Sequence, residues 1–149
     1  MNQPRLVVEA TSKQNLNKLN KMKQFLTLLA TAFIATSSYA GEFPDISITE
    51  VKSLAEAKKA VIIDVNGTES YQKGHIPGAV NYQAVSAKLA KVLPKDKNGL
   101  IVAYCGGPKC KAYQAAATAA EKLGYKNIKH MSAGISGWKE AGEKMEKGS

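Results

Sequence analysis

Three observations predict an α/β fold in which helices wind on both faces of a small, mostly parallel sheet. Apolar, β-branched runs alternate with helical stretches from residue 46 to the end of the chain. The two strongest runs, Val61-Ile62-Ile63-Asp64-Val65 and Leu100-Ile101-Val102-Ala103-Tyr104, are apolar on both faces, as strands covered on both sides must be. No internal repeat and no linker interrupts residues 41–149, so a single domain with one modest core is expected there.

The elements follow in order. Ile46-Ser47-Ile48 reads as a short alternating strand, and Thr49 as the cap of a helix from Glu50 to about Lys59 with Val51, Leu54, Ala55 and Ala57 on its apolar face. After the 61–65 strand, Thr68 to Lys73 reads as a short helix stopped by Gly74. His75-Ile76-Pro77-Gly78 is a turn, because proline fixes φ and glycine accepts positive φ. Ala79 to Tyr82 is a strand, and Ala84 to Val92 is helical until Leu93-Pro94 ends it. The 100–104 strand delivers Cys105 at its carboxyl end. A helix from Lys111 to Leu123 is expected to set small residues (Ala112, Ala115, Ala116 and Ala119) against the sheet, with Gly124 as its stop. Asn127 to Met131 is the last strand. Ala133 to Gly137 is a loop before a final helix from Trp138 to about Lys147.

Residues 1–40 read differently. A polar, Asn/Lys-rich extension precedes Lys21, Lys23 and an apolar run, Phe25 to Ala35, broken only by Thr27 and Thr31. Ser38-Tyr39-Ala40 offers small residues where a signal peptidase reads them. This layout predicts a signal peptide beginning at Met22 and cleaved after Ala40, hence an exported, periplasmic protein with no membrane anchor after cleavage. The run is too short to cross the hydrocarbon, which takes about 20 residues. The formal net charge of +9 is not gathered into a dense basic tract with interleaved aromatics, so nucleic-acid binding is not expected. A mild positive field favours small anionic substrates.

The chemistry concentrates at Ala103-Tyr104-Cys105-Gly106-Gly107-Pro108-Lys109-Cys110-Lys111, which holds the only two cysteines of the chain. Sites in open parallel sheets form beyond the carboxyl ends of strands. A loop curling from Cys105 toward the following helix is expected to aim N–H groups at the sulfur, with Gly106 and Gly107 permitting the curvature and Lys109 and Lys111 adding charge. These effects favour a solvent-open thiolate with a pKa below the free value of about 8.5. Pro108 lacks an N–H and removes one donor. A metal site is not expected, since two cysteines lack the second pair of ligands that zinc needs.

Three ordered motifs resemble the rhodanese-like sulfurtransferase family in its single-domain form. They are the 61–65 strand followed by Gly74-His75-Ile76-Pro77-Gly78-Ala79, the 101–105 strand with its loop and Ala-rich helix, and the Gly134-Ile135-Ser136-Gly137-Trp138 stretch. The resemblance implies a doubly wound α/β domain without cofactor, and Cys105 as the catalytic residue. In that role Cys105 takes sulfane sulfur from thiosulfate or polysulfide, holds it as a persulfide and passes it to a thiol or cyanide acceptor. It implies that Gly106, Gly107, Lys109, Cys110 and Lys111 form the active-site loop, and a monomer or weak dimer is expected. Two departures stand out. Asn66 occupies a place where family members often carry Arg, and Cys110 another. Lys111 cannot reproduce the bidentate oxyanion binding of Arg, which weakens thiosulfate as the favoured donor and argues against dephosphorylation or oxyanion reduction.

Cys110 leaves two readings open. It is a resolving thiol able to attack a Cys105 persulfide, if the sulfurs can meet, or it packs at the helix start and never meets Cys105. The supporting residues are read as structural: Asp64 holds a neighbouring loop by hydrogen bonds, His75 locks the Pro-Gly turn, His130 is a strand residue and Trp138 anchors the last helix. Two other functions remain beside sulfur transfer: a non-enzymatic sulfur-binding or docking module, and a thiol–disulfide oxidoreductase using both cysteines.

Overall fold

The structure, a computed structural model, describes residues 43–148; the leader expected over 1–40 lies outside them. The elements are α1 (Ile48–Glu56), β1 (Ala60–Asp64), α2 (Thr68–Lys73), β2 (Val80–Asn81), α3 (Tyr82–Val85), a 3₁₀ helix (Ser86–Lys91), β3 (Leu100–Tyr104), α4 (Tyr113–Lys122), β4 (Ile128–Met131) and α5 (Gly134–Glu140). The four strands form one parallel sheet in the order β2-β1-β3-β4. This is the α/β architecture the sequence predicts.

Period-two alternation along β3 distributes its side chains between two cores. Ile101, Ala103 and Cys105 join Ile63, Leu89, Ala116, Ala117 and Ala120 on one face, under α4 and the 3₁₀ helix. Val102 and Tyr104 join Ile62, Val51, Ile76, Met131 and Trp138 on the other, under α1 and α5. The central position of β3 explains its burial: Ile101 through Tyr104 are wholly excluded from solvent.

Four details depart from the sequence reading. The strand expected at 46–48 shrinks to a single parallel bridge, Asp45 to His130. Ser47, not Thr49, caps α1, because its hydroxyl and the Glu50 carboxylate form a reciprocal capping box. The helix at 84–92 is instead a short α3 followed by a 3₁₀ helix kinked at Lys88. The buried face of α4 is Tyr113, Ala116, Ala117 and Ala120, whereas Ala112 and Ala115 face solvent. The apolar stripe is therefore set by the Tyr113 anchor at i, i+3, i+4 and i+7.

The largest difference lies at the C-terminus. The last helix begins at Gly134 rather than Trp138 and ends at Glu140. Beyond it the chain returns as a strap. His75 and Glu146 exchange both backbone hydrogen bonds, at 2.9 and 3.0 Å, and the Glu146 carboxylate accepts from Gly78 N–H at 2.9 Å. Trp138, buried to 2 % exposure, donates its indole N–H to Lys144 O at 2.9 Å and so ties the strap to the core.

Candidate active site

The site lies at the carboxyl edge of the sheet, where β1 ends at Asp64 and β3 at Tyr104 in matched register. The loop that begins at Cys105 is gripped from the far side by α5. Ile135 N–H donates to Cys105 O at 2.8 Å, and Ser136 N–H to Gly106 O at 3.0 Å. The opening N–H groups of α5, which lack partners within the helix, thus carry the first two carbonyls of the loop. This contact requires Gly134. Its φ is +60°, and a Cβ there would lie 2.5 Å from Gly107 N, 2.6 Å from Cys105 O and 2.7 Å from Gly106 C. Gly107 in turn packs beside the Ser136 hydroxyl, 2.6 Å from where its own Cβ would stand.

The loop then folds back. Cys110 N–H donates to Gly107 O at 2.9 Å, closing a four-residue turn with Pro108 in the second position, where its fixed φ fits. The turn returns Cys110 to Cys105, and the two form a disulfide with a Cα separation of 6.2 Å. Of the two readings left open for Cys110, contact between the sulfurs is what the structure has.

The expected solvent-open bowl of amides is not present in this closed form. Cys105 is only 1 % exposed and belongs to the α4-side core. Its Sγ faces the Cys110 carbonyl oxygen at 3.2 Å and the second sulfur. Strand alternation turns the Cys105 side chain inward beneath α4, and the Cys110 N–H is spent on the turn. α4 begins only at Tyr113. Lys109 and Lys111 are exposed and Cys110 is half-buried at the rim, while Gly106 and Gly107 line the inner half of the loop.

Below the loop lies a polar network that the sequence reading captured only in part. The Tyr104 hydroxyl donates to Asp64 Oδ2 at 2.5 Å and accepts from Ile76 N–H at 3.1 Å. The other carboxylate oxygen of Asp64 accepts from Asn66 N–H at 2.7 Å and from its side-chain amide at 2.8 Å. Asp64 thus holds the start of its own loop through Asn66, and Asn66 stands against Gly106, its Oδ1 3.7 Å from the glycine's Cβ position. The His75 side chain ties α2 to the strap: its Nδ1 lies 2.8 Å from Tyr71 O, its ring stacks on Tyr71, and its Nε2 lies 3.6 Å from Glu146 Oε2. His130, on β4, stacks on Tyr113.

Burial, the Asp64 charge and the hydrogen bond to it push the Tyr104 phenol far above its ordinary range. An unfolded tyrosine ionises near pH 10, so the unfolded state releases this proton first. The contribution of Tyr104 to stability is therefore full below about pH 10 and is lost as pH rises beyond it. Tyr104→Phe strands Asp64 Oδ2 and Ile76 N–H and is expected to cost about 1–3 kcal/mol at pH 7. It should also flatten the fall in stability between about pH 9 and 11. Urea unfolding of both proteins across that range checks it.

A parallel sheet carrying a cysteine loop at its carboxyl edge, braced from below by a buried carboxylate and from behind by a helix N-terminus, defines the class: an α/β cysteine-loop domain. Residues 47–141 match the family described as Rhodanese-like domain, and the chain belongs to that family. It is 33 % identical to the thiosulfate sulfurtransferase GlpE of Pseudoalteromonas translucida over 70 % of this chain and 98 % of that protein. It is 34 % identical to an HTH-type transcriptional regulator of Mycobacterium tuberculosis over 80 % of this chain, but spans only 53 % of the regulator. Among solved structures, a rhodanese-related protein of Thermoplasma volcanium shares the fold with a TM-score of 0.55 at 22 % identity, covering 70 % of this chain and 98 % of that one.

The gripping role of Gly134, Ile135 and Ser136 was missed from sequence, although their motif was visible. Its signal was a glycine pair spaced for a helix start, read instead as a loop.

Proposed function

We propose that this protein is an exported sulfurtransferase in which Cys105 carries sulfane sulfur as a persulfide. The observation that carries the reading is the position of Cys105 at the carboxyl end of the central strand, heading a loop whose carbonyls are held by α5. The likeness to a thiosulfate sulfurtransferase, over 70 % of this chain and 98 % of that protein, supports it. In the reduced protein the Cys105 thiolate attacks the outer sulfur of a donor. A Cys105–sulfur bond forms, the donor's sulfur–sulfur bond breaks, and sulfite or a shorter polysulfide leaves with the electron pair. An acceptor thiolate, or cyanide, then attacks the outer sulfur of the persulfide and Cys105 leaves as thiolate.

Reduction of the 105–110 bond comes first, because a cysteine in a disulfide has no lone thiolate to offer. The donor is a polysulfide or persulfide in preference to thiosulfate. Among the described residues, the cations of the cysteine loop are the exposed Lys109 and Lys111. Neither makes the forked contact that suits a sulfonate-like head.

Mass spectrometry of the reduced protein after exposure to each donor tests this. The expected result is a gain of about 32 Da, one sulfur atom, on Cys105, greater with polysulfide than with thiosulfate and absent from the oxidised protein. Cys110→Ser is expected to load at the wild-type rate. No adduct from any donor would instead leave a sulfur-binding or docking role.

A further inference from the structure

We propose that Cys110 makes the protein a persulfide reductase: the sulfur loaded on Cys105 is expelled as sulfide and the 105–110 disulfide is its product. This rests on the carrier reading of Cys105 given above. The observation behind it is the closed loop itself. A turn held by Cys110 N–H to Gly107 O, with Pro108 limiting its freedom, keeps Cys110 within 6.2 Å of Cys105 between Cα atoms, inside the span a disulfide allows. An attacking thiol held in place reacts as an intramolecular partner, with an effective concentration far above that of any dissolved acceptor.

The steps balance as follows. A donor persulfide gives its outer sulfur to the Cys105 thiolate and departs as a thiolate. The Cys110 thiolate, its proton released to solvent, attacks Cys105 Sγ. The Sγ–Sγ bond forms, the bond from Cys105 to the carried sulfur breaks, and hydrosulfide leaves with the electron pair. The carried sulfur is reduced by two electrons, and the two cysteine thiolates are oxidised to the disulfide. A dithiol reductant closes the cycle by attacking Cys110 Sγ. Cys105 leaves as thiolate, and the second thiol of the reductant displaces Cys110. One persulfide and one dithiol thus become one thiol, one hydrogen sulfide and one disulfide.

The burial of the two cysteines assigns the direction of that last attack. Cys105 is 1 % exposed, while Cys110 sits half-buried at the rim between the exposed Lys109 and Lys111. In the disulfide form the outer sulfur is the one a reductant reaches, and the inner one is the leaving group, which restores the nucleophile for the next donor.

A single-turnover experiment decides it. Reduced wild-type protein, freed of reductant under argon, is mixed with one equivalent of glutathione persulfide, and released sulfide is followed beside mass analysis of the alkylated protein. The expected result is sulfide release in step with formation of the 105–110 disulfide, at a rate that, once the sulfur is loaded, is independent of protein concentration. Cys110→Ser should hold the sulfur on Cys105 and release sulfide at least about tenfold more slowly. A wild-type protein that keeps its persulfide while Cys110 remains open to alkylation overturns the reductase proposal and leaves the carrier reading intact. Failure of both proteins to take up sulfur at Cys105 overturns the carrier reading, and the proposal with it. The wild-type readout stands without the variant, should the serine protein fail to fold.

Discussion

Cys105→Ser is expected to abolish sulfur loading, by at least about a thousandfold. A serine hydroxyl is not ionised at neutral pH and cannot form the sulfur–sulfur bond on which the carrier depends. Stability does not confound the comparison with Cys110→Ser. Each variant loses the same cross-link, worth about 2 kcal/mol for so short a loop, so a difference in loading between them reports chemistry. Protein-bound sulfur, measured by cold cyanolysis after incubation with polysulfide, separates the two. Equal loss in both variants would show that the loop, rather than the Cys105 nucleophile, is what loading requires.

Gly134→Ala is expected to cost about 2–5 kcal/mol and most of the loading activity. Two effects add. A side chain at φ +60° carries a backbone penalty of about 1–2 kcal/mol. The added methyl also overlaps three backbone atoms of the cysteine loop, and such overpacking costs about 1–3 kcal/mol or more because backbone cannot rotate away. Either α5 slides off the loop or the loop lifts, and both break the bonds from Ile135 and Ser136 to the carbonyls of Cys105 and Gly106. Gly78→Ala is the control. Its φ is also positive, at +74°, but nothing lies within 4 Å of its Cβ position, so it should lose only the backbone contribution and keep its loading. Thermal unfolding and cyanolysis of the two proteins check this. Equal losses in both would show that the close approach of Gly134 to the loop carries no weight.

The position of Cys105 was legible because a five-residue apolar strand must end where polar residues begin, and the carboxyl ends of parallel strands are where loops gather. The supporting role of Asp64 was legible for the same reason. The Tyr104 side of that network was not, because its partners sit on β1 and at Ile76, and no local pattern joins them. The burial of Cys105 followed from strand alternation and could have been read: Ile101, Ala103 and Cys105 share one face. The contrary expectation came from giving the loop's flexibility more weight than the strand's period.

The sequence by itself determined the layers: that the runs around 61–65, 79–82, 100–104 and 127–131 are strands, that the sheet is parallel and covered on both sides, and that the two cysteines stand at its carboxyl edge. Those follow from periodicity and composition, which are local properties of the chain. The tertiary structure alone decided that the last helix begins at Gly134, that its first N–H groups hold the cysteine loop, and that Cys110 returns to Cys105. Each depends on hydrogen bonds or close packing between segments far apart in the chain, or on which of several turns the surrounding backbone leaves room for. Such contacts become favourable only once the sheet has brought the segments together.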